Sequence, residues 1–155
     1  MPMLNTRLRS TAIAALMCTP ALPAAAEEFE ILMLNTAAEN AQHTNVFAPD
    51  ILRIQLGDTV TFIPTDKGHN TASKRGMIPQ RAEPWNSPMD EKFSLTLTVP
   101  GVYGYICLPH YEMGMVGLII VGDEMQNLDA AKDARQVGSA RGAFRDLFAR
   151  AEGSQ

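Results

Sequence analysis

Between residues 28 and 121 the chain is a series of short apolar and β-branched segments closed by turn residues, with no helical periodicity between them. The segments are Phe29–Leu34, Ile51–Leu56, Thr59–Ile63, Phe93–Val99, Val102–Cys107 and Val116–Val121. Gly57-Asp58 and Pro100-Gly101 supply turns, and Phe93 to Val99 alternates apolar with polar residues. A period of two sends one face of a strand to a core and the other to water. Strands spaced this closely leave no room for crossover helices, so the pattern predicts an all-β antiparallel sandwich. The stretch 64–92 carries Pro64, Gly68, Gly76, Pro79, Pro84 and Pro88. A connection that long inside a compact domain is expected to be functional or unordered. From Met125 the period becomes helical. Leu128 and Ala131 precede a break at Gly138, and Ser139 is a candidate N-cap. Ala140, Phe144, Leu147, Phe148 and Ala151 then form one apolar stripe, so two C-terminal helices are expected over about 125–151. Arg141 and Arg145 share a face of the second helix, extended by Arg150, and read as a solvated surface.

The first 26 residues have a different character. Arg7 and Arg9 precede an apolar run from Ala12 to Cys18, and Ala24-Ala25-Ala26 ends the segment. This is the pattern of a secretory signal cleaved at small residues, here after Ala26. Thr19-Pro20 interrupts the run before the roughly 20 apolar residues a membrane span needs. Leu16-Met17 before Cys18 fits a lipoprotein anchor poorly. Residues 27–155 are therefore expected to form a single exported domain, with its sandwich over about 28–122 and no membrane anchor. Cleavage removes two of the 13 basic residues and none of the 17 acidic ones, taking the net charge from −4 to −6. Such a chain is no general nucleic-acid binder.

Cleavage also removes Cys18 and leaves Cys107 without an intramolecular disulfide partner. A lone thiol outside the cytoplasm is exposed to oxidation unless it is buried, catalytic or bound. Cys107 begins the segment Cys107-Leu108-Pro109-His110-Tyr111-Glu112-Met113-Gly114-Met115, in the turn between two expected strands. His69 lies upstream in Lys67-Gly68-His69-Asn70. Two imidazoles, one thiolate and a weak thioether are the ligand set of a blue-copper electron-transfer centre. Thiolate and thioether favour Cu(I), imidazole serves both oxidation states, and a fixed compromise geometry lets the ion change charge with little rearrangement. Pro109 has no N–H, so one backbone position near the thiolate cannot donate to it; fewer donors tend to lower the potential. His110, between Pro109, Tyr111 and Met113, is the expected electron exit. The same tetrahedral N/S set would also accept zinc.

Three other chemistries compete for the same residues. A Cys107 nucleophile with His110 as base leaves His69 and Met115 without a role. A substrate-binding copper enzyme needs an open position and further imidazoles, and only His43 remains, in an expected surface loop. A periplasmic copper-binding or delivery protein uses similar ligands and is the leading alternative.

On these residues the chain resembles the cupredoxins, the type 1 blue copper proteins. The resemblance covers most of residues 28–150. It is carried by Gly57 through Pro64, Asp66-Lys67-Gly68-His69-Asn70, Met77-Ile78-Pro79, Pro109-His110-Tyr111 through Met113-Gly114-Met115, and Val121-Gly122-Asp123. The two C-terminal helices separate it from plastocyanin-like members. The resemblance implies a Greek-key sandwich binding one copper ion per chain, with His69, Cys107 and His110 as strong ligands and Met115 as the weak axial one. Met113 competes for the axial place, because a shorter His-to-Met spacing occurs in other cupredoxins. Asn70 is expected to tie the two ligand loops together. The implied role is a soluble periplasmic one-electron carrier, not an enzyme and expected as a monomer, serving redox partners such as a copper nitrite reductase or a cytochrome.

Several positions depart from the family. Ile106 and Leu108 flank the cysteine where Lys and Thr are common, the loop at 36–45 is longer, and Trp85 is larger than expected. Lys67, Lys74, Arg75 and Arg81 form a run with no acidic residue between them. Bordering the copper, together with Met113, they would steer acidic partners to it.

Overall fold

The computed structural model describes residues 25–153. Its elements are β1 (Glu28–Thr36), β2 (Thr44–Ala48), β3 (Ile51–Ile54), β4 (Thr59–Pro64), β5 (Ala72–Ser73), β6 (Phe93–Thr96), β7 (Gly101–Ile106) and β8 (Val116–Val121), then α1 (Leu128–Asp133) and α2 (Ala140–Gly153). The strands form two four-stranded sheets, ordered β2-β1-β4-β6 and β3-β8-β7-β5. Residues 1–24 of the expected export signal, with Arg7, Arg9 and Cys18, lie outside the described residues.

The sandwich and its two helices are as the pattern predicts. The expected antiparallel pairing holds only in part. β1 pairs with β4 and β3 with β8 in parallel, while the other pairings are antiparallel. Periodicity reports which face is buried and says nothing about the direction of the neighbouring strand.

β7 and β8 are buried on both faces, and alternation sorts their side chains into two cores. Tyr103, Tyr105, Ile119 and Val121 point between the sheets, where they meet Ile31, Met33, Phe47, Val60 and Phe62. Val102, Ile106, Leu118 and Ile120 point outward under the helices, against Phe144, Leu147 and Phe148. The stripe read from the sequence is thus the buried face of α2. The carbonyl of Ser139 accepts the Ala143 N–H at 3.0 Å, opening that helix. Arg150 is tied down rather than merely solvated, donating to Asp146 at 2.9 Å and to Asp50.

The irregular stretch 64–92 is an ordered excursion along β7. Ala72 and Ser73 pair with Ile106 and Tyr105, the Lys74 N–H donates to the Gly104 carbonyl, and the Gly104 N–H donates to that of Met77. The chain then turns and climbs back beside itself. Ser73 donates to the Trp85 carbonyl, Ser87 to that of Thr71, and Asp90 to that of His69. Trp85 belongs to the inter-sheet core, and its indole N–H donates to Thr71 Oγ1 at 3.1 Å.

Candidate metal centre

Cys107 follows the last residue of β7 on the inter-sheet side, so the alternation of that strand aims its thiol into the core. A tight loop then returns the chain to β8. His110 donates its N–H to the Cys107 carbonyl at 3.2 Å, and the His110 carbonyl accepts the N–H groups of Met113 and Met115, each at 3.1 Å. The Cys107 N–H donates to the Met115 carbonyl at 3.0 Å and closes the loop. The helices brace its far side. Ser139 donates to the Glu112 carbonyl at 2.8 Å, and Gly138, with φ +53°, lies so close that a Cβ there would sit 2.4 Å from that oxygen.

His69 reaches the same point from the connection after β4. Its Nδ1 lies 3.7 Å from Cys107 Sγ, and His110 Nδ1 lies 3.6 Å from it. The three donor atoms fall within 4.8 Å of one another. A metal–sulfur bond of about 2.3 Å and a metal–nitrogen bond of about 2.0 Å, at near-tetrahedral to trigonal angles, place sulfur and nitrogen roughly 3.5–3.7 Å apart. The residues fit a single first-row ion with soft donors. Met115 is buried in the same core as Cys107, whereas Met113 is 59% exposed.

The surroundings fix the ligands. Asn35 Oδ1 accepts from His69 Nε2–H at 2.9 Å, leaving Nδ1 with its lone pair toward the thiol. Asp90 Oδ1 accepts the N–H groups of Gly68 (2.6 Å) and His69 (3.2 Å), which hold its carboxyl below the usual range. Asp66 in turn accepts the Asn35 N–H at 2.7 Å. Asn70 joins the two loops, because its Oδ1 accepts the Leu108 N–H at 2.9 Å. Its amide nitrogen donates to Asn86 and to the Ser87 carbonyl. Asn35 and Asp90 carried no signal in the sequence beyond being short polar residues. Their roles depend on partners more than 20 positions away.

Burial pushes the Cys107 thiol above its ordinary pKa, partly offset by the N–H groups of Asn70 and His110 facing the sulfur. Burial and the neighbouring His110 lower His69, against the opposing pull of Asp66 and Asp90. A raised thiol pKa disfavours the free thiolate and leaves the proton to be displaced by a bound cation. That is the behaviour of a metal ligand and a poor start for a free nucleophile.

The remaining candidates separate. Leu108 and Pro109 are exposed beside the half-buried His110, and Lys74 Nζ sits 5.6 Å over the Tyr111 ring. Lys67 and Arg75 are exposed, and His43 is on the surface. Arg81 is not brought to the centre. The excursion along β7 carries it to a hollow lined by Trp85, Leu97, Val99 and Tyr103, near the start of the strand whose end holds Cys107.

Residues 33–122 match the sequence profile of the copper-binding proteins of the plastocyanin/azurin family. The chain belongs to that family. Within it, the similarity is to pseudoazurins: 43% identity over 130 residues with that of Paracoccus pantotrophus, covering 84% of this chain and 88% of the relative. The pseudoazurin of Methylorubrum extorquens is 37% identical over 147 residues, covering 95% and 97%. A solved pseudoazurin from Sinorhizobium meliloti superposes with a TM-score of 0.79 at 43% identity, covering 83% of this chain and 99% of the other. The protein is a blue-copper electron carrier that works with redox partners, and not an enzyme. Its cofactor is copper.

Proposed function

We propose that His69, Cys107 and His110 bind the copper ion as its strong ligands, with Met115 as the weak axial one. The observation that carries this is the approach of both Nδ1 atoms to the Cys107 sulfur at 3.7 and 3.6 Å. The 59% exposure of Met113 speaks against it as the axial ligand, while Met115 shares the cysteine's core. When bound, copper supplies a one-electron couple. The residues themselves hold one donor arrangement for both oxidation states. Asn35 orients His69, Asn70 ties its loop to Leu108, and the N–H groups of Asn70 and His110 stabilise the thiolate. Pro109 withholds a further donor.

The electron leaves through His110, the one of the three residues that is only half buried. Leu108, Pro109 and Met113 surround it with a small apolar patch that can dock dry against a partner. Lys67, Lys74 and Arg75 lie outside this patch and favour an acidic partner. The chain works in the periplasm as a soluble monomer after cleavage behind Ala26, donating to a copper nitrite reductase or another denitrification or respiratory enzyme such as a cytochrome. Stopped-flow oxidation of the reduced protein by a copper nitrite reductase tests this. The rate should fall steeply as salt rises. A rate indifferent to salt would remove the electrostatic part. Copper delivery is the weaker reading, since exchange favours open sites and His69, Cys107 and Met115 are all buried.

A further inference from the structure

α1 and α2 leave a groove of about 590 Å³ between them, floored by Phe144 and Phe148 and rimmed by Arg135, Arg141 and Arg145. None of these three guanidinium groups has a hydrogen-bonded or ion-paired partner among the described residues. The one acid on the rim, Glu152, is taken by Lys132 at 2.6 Å. On a chain of net charge −6 once the leader is gone, three unmatched arginines in one groove are a strong local departure.

The groove also continues toward the electron exit. Arg135 and Ala134 line an adjoining hollow with Lys74, Arg75 and one acid, Asp133, and Lys74 lies over the Tyr111 ring, next to His110. Gln136, at the edge of the groove, accepts the Tyr111 hydroxyl at 2.6 Å. A track that is basic on balance, three cations to the single acid Asp133, therefore runs from the ligand loop around the end of α1 into the groove.

We propose that this groove is a second anchoring site for the acidic redox partner, receiving a carboxylate-bearing segment of that partner between Arg135, Arg141 and Arg145. The proposal rests on the electron-carrier reading and extends its contact surface away from the copper end. A planar guanidinium fork binds carboxylates in bidentate fashion, which a lysine cannot do. The phenyl rings of the floor are 1% and 5% exposed, and the lining between the three guanidinium groups is more apolar than polar. That suits an acidic protein segment with an apolar side chain among its carboxylates.

The test uses the copper-loaded, reduced chain and a synthetic Glu-Glu-Phe-Glu-Glu peptide, followed by amide shifts in NMR. The expected result is shifts across residues 135–145 and binding weakened about fivefold in an Arg141→Gln/Arg145→Gln variant at low salt. The visible band and midpoint potential of that variant should match those of the parent. Shifts confined to residues 108–113, or undiminished binding by the variant, would overturn the proposal. So would displacement of the peptide by equimolar octanoate or phosphate, or concentration-dependent shifts at 135–145 without peptide, which would mark a small-anion site or self-association. Failure of the underlying reading looks different: neither protein would show a visible band or a reversible one-electron wave.

Discussion

His69 and His110 face the same sulfur from nearly equal distances, yet their surroundings differ. His69 is fully buried, with Nε2 held by Asn35 and its backbone fixed by Asp90. His110 is half exposed on a loop whose neighbours Leu108 and Met113 are 50% and 59% exposed. One imidazole belongs to the rigid interior and sets the geometry. The other is where the interior ends and a partner can begin. An electron carrier needs both properties, because low rearrangement requires rigidity and rapid exchange requires contact.

Replacing each histidine by glycine should break the symmetry of the pair most strongly. Both variants lose the blue chromophore with copper. Added free imidazole should restore it in His110→Gly, whose gap opens to solvent, and not in His69→Gly, whose gap is sealed. Equal rescue, followed by visible absorption, would erase the distinction. Next in size is the tie between the two sides. Asn70→Ala leaves the Leu108 N–H without its acceptor and should cost about 10–100-fold in copper affinity, measured by competition with a chelator. On the axial side, Met115→Gln should lower the potential and alter the visible spectrum, since a harder oxygen donor favours Cu(II). Met113→Gln should leave both nearly unchanged.

The smallest effect is in the stability of the metal-free chain against pH. The lowered pKa of His69 means the folded state binds fewer protons than the unfolded one, so its contribution holds above 6.5 and is lost as pH falls below that value. The raised pKa of Cys107 works in the other direction. Its contribution is complete below the ordinary thiol value of 9.0 and is lost as pH climbs through it to the raised value. Thermal melts of metal-free protein should therefore fall at both ends. The acid arm should shrink in His69→Gln and the alkaline arm in Cys107→Ala.

Much of this was legible in the chain because local chemistry and tertiary role coincide. The alternation of β7 and β8 announces strands, the α2 stripe announces a buried helix face, and three candidate ligands share one nine-residue loop. β2 carries no strand signal in the sequence, because Thr44-Asn45-Val46-Phe47-Ala48 is short and half polar, and pairing with β1 is what makes it a strand. The two parallel pairs were invisible for a related reason, since direction is set by which sheet each connection crosses into. At the site, Asn35 and Asp90 act only through hydrogen bonds to a distant loop. Arg81 shares the basic run along the chain yet lines a hollow with Trp85 and Tyr103, because proximity in sequence is not proximity in space.

The most direct test of a single blue-copper centre is a titration of purified residues 27–155 with Cu(II), followed by visible absorption. An intense thiolate-to-copper band that saturates at one equivalent, and is absent in Cys107→Ser, is the result this structure predicts. A colourless complex, or a band that persists without Cys107, would contradict it.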